Sequence, residues 1–143
     1  MTGILFAKKE DKQSLEKLLS DSGLPIEDLP LGLENFFVIK DEDIIIASVG
    51  LEISGNYGLL RSLAVAQDYQ GKGLANALYL EILELAKKQT ISTIFLLTTT
   101  ADRYFEKLGF IRVSREETPF EIQQSQQFSS ICPSTASIMK LEI

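Results

Sequence analysis

The sequence predicts one α/β domain built around a mixed sheet, and three observations carry that prediction. LANALYLEILELA (74–86) repeats Leu74, Leu78, Ile82 and Leu85 at helical spacing. Asn76, Glu81, Glu84 and Lys88 take the other face of a helix predicted over 74–88. That helix lies between two strand-like runs, LLRSLAV (59–65) and TIFLLT (93–98), so it crosses from one strand to a parallel partner. FFVIK (36–40) and DEDIIIASVGLEI (41–53) read instead as a hairpin with the polar DED segment as its turn.

The remaining elements follow in order. ILF (4–6) is a short first strand. KQSLEKLLSDSG puts Leu15, Leu18 and Leu19 on one helical face, with Asp11 as the expected N-cap and Gly23 as the stop. LPIEDLPLGLEN, with two prolines and a glycine, reads as a loop with room for one helical turn. SGNYG is a second turn, and LLRSLAV then completes a meander. TIFLLT is bare of polar groups until its end, the pattern of a strand in the middle of a sheet. TTADRYFEKLGF predicts a helix with Thr99 as N-cap, Asp102 three residues on, and Gly109 as the stop. IRVS (111–114) is a strand, PFEIQQSQQF (119–128) a short helix, SSICPSTA a loop and SIMKLEI (137–143) a final strand. No repeat, low-complexity tract or linker interrupts residues 1–143, which are expected to form one domain.

Composition narrows the function. The 143 residues suffice for a real core, and 45% apolar with 24% charged residues is a soluble globular balance. No apolar run approaches the roughly 18–20 residues of a membrane span, so no membrane partner is expected. MTGILFAKKEDKQ lacks a basic region followed by an apolar one, so no export signal is expected and the cytoplasm is the expected compartment. Fourteen basic against 20 acidic residues, net charge −6, argue against a nucleic-acid partner. The chain has no histidine and one cysteine, Cys132, which removes the commonest general base and leaves no metal site expected. The lone Cys132 also excludes an internal disulfide and reads more simply as an apolar filler than as a nucleophile.

QDYQGKG (67–73) is the segment with chemical content. It joins a strand ending near Val65 to a helix beginning near residue 72. The first turn of a helix has N–H groups without intrahelical partners and carries partial positive charge. Gly71 and Gly73 clear side chains from the approach, and Lys72 adds a full charge, so a phosphate or pyrophosphate suits the segment. A plain strand-to-helix turn also uses two glycines, and neither GxxxxGK[ST] nor GxGxxG is present.

Gln70-Gly71-Lys72-Gly73-Leu74-Ala75 resembles the Q/R-x-x-G-x-G/A signature of the GNAT (Gcn5-related N-acetyltransferase) superfamily. LRSLAVAQDYQGKGLANALYLEILELA is similar to its strand–loop–helix core, and YFEKLGF to its terminal segment. The resemblance spans nearly the whole chain and implies a GNAT fold: α/β, with a mainly antiparallel mixed sheet of about six to seven strands flanked by helices. It implies acetyl-CoA as co-substrate, the pyrophosphate on the amides of Gln70, Gly71, Lys72, Gly73, Leu74 and Ala75. The pantetheine arm would pair with the main chain of Leu63, Ala64 and Val65 like an added strand, with the strands at 59–65 and 93–98 splaying to admit the thioester. Many relatives carry Asn and Tyr where this chain has Thr98 and Phe105, which keep cofactor-facing positions by analogy. LLTTTADRYFEKLGF resembles the GNAT domains of N-acetylglutamate synthases. Together with QFSSICPSTASIM it also resembles small GNAT proteins associated with arsenic-resistance operons.

The implied reaction is N-acetyl transfer to a small primary amine, an amino acid or a similar compound, by direct attack on the thioester. Without histidine, the base candidate is Glu52 or ordered water, and Glu52 reads equally as a surface residue. Tyr104, one position from the family's tyrosine, is either the proton donor to the leaving thiolate or a packing residue. If the strand alternates, Arg61 shares a face with Leu63 and Val65 and pairs either with a substrate carboxylate or with a protein carboxylate. Ser129 and Ser130, in a hydroxyl-rich loop, either close the acceptor pocket or lie in a surface connection. One thiol per chain cannot chelate arsenite, so acetylation of an amine is the better reading of the operon association. A silent acyl-CoA-binding module is the competing class, and a homodimer stays open as the assembly.

Overall fold

The computed structural model describes residues 1–125 and 136–143. Seven strands, β1 (Leu5–Phe6), β2 (Phe36–Asp41), β3 (Ile44–Ser54), β4 (Tyr57–Val65), β5 (Thr93–Thr98), β6 (Ile111–Val113) and β7 (Ser137–Glu142), form one sheet in the order β1-β2-β3-β4-β5-β7-β6, mixed as the connection through 74–88 requires. The chain divides into two compact units, Met1–Leu51 with Arg61–Leu85, and Glu52–Leu60 with Ala86–Ile143. Among the described residues no helix is long and apolar enough to cross a membrane.

The first unit opens with β1 (Leu5–Phe6) and α1 (Lys12–Asp21), which buries Leu15, Leu18 and Leu19 as their spacing predicts. Gly23 ends α1 at φ 74, with Leu24 N–H donating to the Leu19 carbonyl at 2.9 Å and Gly23 N–H to that of Ser20 at 3.1 Å. This doubly bonded stop needs a left-handed residue, which glycine supplies without a Cβ clash. Asp11 stands at the N-cap position but caps nothing in α1. Its carboxylate accepts instead from Lys8 N–H at 2.8 Å and faces Lys40 Nζ at 2.8 Å, because a 3₁₀ turn over Lys9–Asp11 precedes the helix. The loop after α1 contains turns but no helical turn.

β2 (Phe36–Asp41) pairs antiparallel with both β1 and β3 (Ile44–Ser54). Asp41 still pairs with Ile44, so the hairpin turn is only Glu42 and Asp43, at φ 50 and 70. Two consecutive left-handed residues make the tight turn whose twist matches the flanking strands. Phe36 and Val38 sit fully buried among Leu15, Leu19 and Leu33. Phe36 lies opposite Gly50 in the ladder, and a Cβ on Gly50 would stand 2.6 Å from the Phe36 ring. The ring therefore occupies the space that any side chain at 50 would need.

The second unit begins with the last residues of β3 and contains the start of β4 (Tyr57–Val65), which runs parallel to β5 (Thr93–Thr98) over Tyr57↔Thr93, Gly58↔Ile94 and Leu59↔Phe95. Among the described residues this ladder ends there, although both strands continue. β7 (Ser137–Glu142) inserts between β5 and β6 (Ile111–Val113), antiparallel to both. β5 is thus paired on both edges, and Ile94, Phe95 and Leu96 are all buried, as a strand without polar residues requires. Leu59, Phe95, Ile122 and Ile138 form the core of this unit. Ile122 comes from α4 (Phe120–Gln123), the described part of the helix predicted over 119–128. α2 (Leu74–Lys88) has the predicted bounds.

Gly50→Ala should destabilise the protein by about 1–3 kcal/mol, since the added methyl must displace a buried ring. The urea midpoint checks this; an unchanged or raised midpoint would show that Phe36 yields freely.

Candidate functional site

The end of β4 departs from regular strand geometry. Ser62 takes φ 58, a left-handed conformation rare for a residue with a side chain, and Arg61 and Ser62 are consecutively buried. Simple alternation from Arg61 to Leu63 and Val65 therefore fails. Hydrogen bonds surround the irregular residue: Ser48 Oγ donates to the Ser62 carbonyl at 2.8 Å, and Arg61 Nε donates to Ser62 Oγ at 3.1 Å. The Arg61 fork donates to both Asp28 carboxylate oxygens at 2.7 Å, and Nη1 to the Asp28 carbonyl at 3.4 Å. The paired side chains are 0% and 3% exposed, and the Phe36 ring centroid lies 5.7 Å from Arg61 Cζ.

Arg61 is therefore not presented to a substrate carboxylate. A buried guanidinium must be paired, and Asp28 has taken the position the acceptor was expected to fill. The signal in the sequence was the lone charge in an otherwise uncharged strand. Which of Glu27, Asp28 or Glu34 would meet it was not readable, because that loop has no periodicity.

After Val65 a 3₁₀ turn over Gln67–Tyr69 leads into the glycine segment. Gln70 Nε2 donates to the Val65 carbonyl at 3.0 Å, so Gln70 ties the loop back to the strand with its side chain. Gly71 and Gly73 sit at φ 78 and 80, with no heavy atom within 4 Å of a Cβ built on either. Among the described residues the N–H groups of Gly71, Lys72 and Gly73 meet no backbone acceptor. The first-turn amides of α2, from Leu74 and Ala75 onward, add donors that the helix cannot use internally. Left-handed glycines and free amides before a helix suit an anion cradle, and a side chain at either glycine would intrude on it. Lys72 Nζ lies 6.0 Å from the Tyr69 ring centroid. These residues fit the diphosphate of CoA. Leu63 and Val65 are half-buried and Ala64 buried on the strand leading into the cradle.

In the second unit, Thr98 ends β5, and its Oγ1 accepts from Ala101 N–H at 2.9 Å and Thr100 N–H at 3.3 Å. Thr98, not Thr99, thus meets the amides just before α3 (Asp102–Lys107), whose N-cap residue is Ala101 with no side-chain cap bond. Phe105, expected beside the cofactor, is buried; its ring stands edge-on to Tyr104 at 5.2 Å and Phe110 at 5.6 Å between centroids. It is a core residue.

Tyr104 differs. Its hydroxyl is buried without a hydrogen-bond partner among the described residues, and that desolvation raises its pKa above the ordinary value of 10. Nearby in sequence, the Asp102 carboxylate accepts from Ser137 Oγ at 2.7 Å and Arg112 Nη2 at 2.9 Å. The Ser137 bond first, then the Asp102 backbone N–H and the Arg112 charge, hold its pKa below the usual carboxylate value. Glu52 is half-buried on β3 and is engaged by another residue. Ser129, Ser130 and Cys132 lie outside the described residues. Among the described residues there is no cluster of metal-ligating side chains.

The acetyltransferase (GNAT) domain family matches residues 32–112, more than half of the chain. An amino-acid acetyltransferase of Buchnera aphidicola subsp. Acyrthosiphon pisum is 32% identical over 95 residues, 65% of this chain and 22% of the relative. The amino-acid acetyltransferase of Haemophilus ducreyi is 26% identical over 121 residues, 80% of this chain and 28% of the relative. The chain thus spans only 22% and 28% of these curated relatives.

N-acetylglutamate synthase from Neisseria gonorrhoeae, solved with coenzyme A and N-acetyl-glutamate, superposes with TM-score 0.82 at 20% identity, over 98% of this chain and 34% of that one. Rv2747 from Mycobacterium tuberculosis, solved with CoA and NLQ, superposes with TM-score 0.81 at 19% identity, over 99% of each chain. At these identities the superpositions speak for the fold, and the domain match speaks for the family: the protein belongs to the GNAT acetyltransferases.

Proposed function

We propose that the chain is an acetyl-CoA-dependent N-acetyltransferase acting on a small primary amine, an amino acid or a compound like one. The observation that carries this reading is the 70–75 segment, where two left-handed glycines and unpaired amides precede α2. The amino-acid acetyltransferases among the relatives, and the N-acetyl-glutamate in the Neisseria complex, favour the acceptor class. With Arg61 committed to Asp28, recognition of an acceptor carboxylate falls to other donors.

Acetyl-CoA supplies the activated acyl group as a thioester. In this reading the loop amides hold the diphosphate, the Leu63–Val65 main chain aligns the extended arm, and the Val65 amide stabilises negative charge developing on the carbonyl oxygen. Glu52 takes the amine proton directly or through water. Tyr104 returns a proton to the departing thiolate; its hydroxyl, raised in pKa by burial and without a partner among the described residues, stays neutral at working pH.

Gly71→Val or Gly73→Val should weaken CoA binding about tenfold or more while the circular-dichroism spectrum stays native, because no neighbour within 4 Å opposes the side chain. The left-handed backbone adds roughly 1–2 kcal/mol of local strain, visible as a lower melting temperature. Unchanged CoA affinity in calorimetry would return the loop to an ordinary turn.

Tyr104→Phe should lower kcat about a hundredfold or more, as loss of a general acid does. Its stability should hold or rise, since the substitution deletes a buried hydroxyl that has no partner among the described residues. Undiminished kcat would leave Tyr104 as a packing residue. Thiol release from acetyl-CoA across a panel of amino acids tests the activity itself. Tight CoA binding with no release for any amine would make the chain an acyl-CoA-binding module.

A further inference from the structure

The glycine segment is held from two sides by side chains that touch none of its own amides. On one side Gln70 Nε2 donates to the Val65 carbonyl at 3.0 Å. On the other, the Tyr69 hydroxyl donates to the Asp41 carboxylate, at the last β2 residue before the hairpin turn. Asp41 also faces the chain's terminal ammonium at 3.7 Å. The bond to Asp41, above all, raises the Tyr69 pKa, so the phenol remains a donor at neutral pH. The same ring carries Lys72 Nζ at 6.0 Å from its centroid, and a cation over an electron-rich ring is held there by its quadrupole. A loop with two glycines would otherwise sample many backbone states, and ordering it on binding would cost affinity.

We propose that Tyr69 is a positioning residue for the anion cradle: tethered to Asp41, it fixes residues 67–73 and stations Lys72, so that the loop receives the diphosphate of CoA already ordered. This deepens the acetyl-CoA reading and rests on it. Tyr69 touches no ligand in this role; it acts through the loop amides and Lys72. The end of β2 thereby becomes part of the binding apparatus, although Asp41 was no candidate from the sequence.

Calorimetric affinities of Tyr69→Phe test the proposal with three probes: CoA, the nucleotide half of CoA, which keeps the diphosphate, and pantetheine, which lacks it. The variant should lose about tenfold on CoA and on the nucleotide half, the scale of one hydrogen bond to a charged group, and nothing on pantetheine. Asp41→Ala should reproduce the loss, and the double variant should be no worse than either single one, because the two side chains form one tether. Asp41→Asn keeps an acceptor for the phenol and should retain most of the affinity.

Equal losses on pantetheine and the nucleotide half would make Tyr69 a general packing residue and overturn the proposal. So would unchanged affinity of Tyr69→Phe for CoA beside a wild type that binds it. A wild type that binds neither CoA nor its nucleotide half would sink the acetyl-CoA reading itself.

Discussion

The buried pair between Arg61 and Asp28 is the constraint on which the end of β4 depends. A guanidinium with no exposed surface is tolerable only when its donors are met, and here they meet the carboxylate and carbonyl of Asp28 and the hydroxyl of Ser62. The pair fastens the 24–35 loop onto β4 at the residue where the strand leaves regular geometry. Ser62 holds its left-handed backbone because Ser48 and Arg61 bond it from two directions. Such a conformation costs of order 1–3 kcal/mol and persists only where the surroundings over-determine it. Leu63, Ala64 and Val65 follow directly, so the direction in which their main chain faces is set by a loop some thirty residues earlier.

The anion cradle solves a different problem. Its amides must be unpaired to be useful, yet a loop with unpaired amides and two glycines has little of its own to hold it still. The chain separates the two tasks. Gly71 and Gly73 supply the left-handed turns and the open approach, while Gln70 and Tyr69 tie the segment to the end of β4 and to Asp41. Charge is handled with similar economy. Lys72 is the single cation within the motif of a chain with net charge −6, so in the proposed reading a diphosphate would rely on oriented amides more than on a basic surface.

Much of the fold was legible because it follows from periodicity and turn chemistry. The bounds of α2 and β5, the interior placement of β5, the pairing of β2 with β3 and the glycine stops at 23 and 109 need only local information. The glycine turn before α2 was legible for the same reason, since glycine spacing and helix onset are written in consecutive residues. Where several local partners compete, the sequence was a poorer guide. Thr98, Thr99 and Thr100 offer the same hydroxyl, and the path of β5 into α3 selects Thr98 to receive the free amides. Asp11 was a reasonable cap until an extra 3₁₀ turn placed its carboxylate behind the helix, against Lys8 and Lys40. Phe105 carries the family position but packs between Tyr104 and Phe110, while the adjacent Tyr104 keeps the unmet hydroxyl.

By itself, then, the sequence determined the order of elements, the mixed sheet, the family and the glycine turn that leads into α2. All of these rest on short-range patterns that survive without knowledge of the rest of the chain. Tertiary structure alone decided the pairing of Arg61, the irregularity at Ser62, the bonds from the Thr100 and Ala101 amides to Thr98 and the tether from Tyr69 to Asp41. Each joins residues whose pairing has no period, and burial converts a charge or hydroxyl open to substrate into one that must find its partner within the protein.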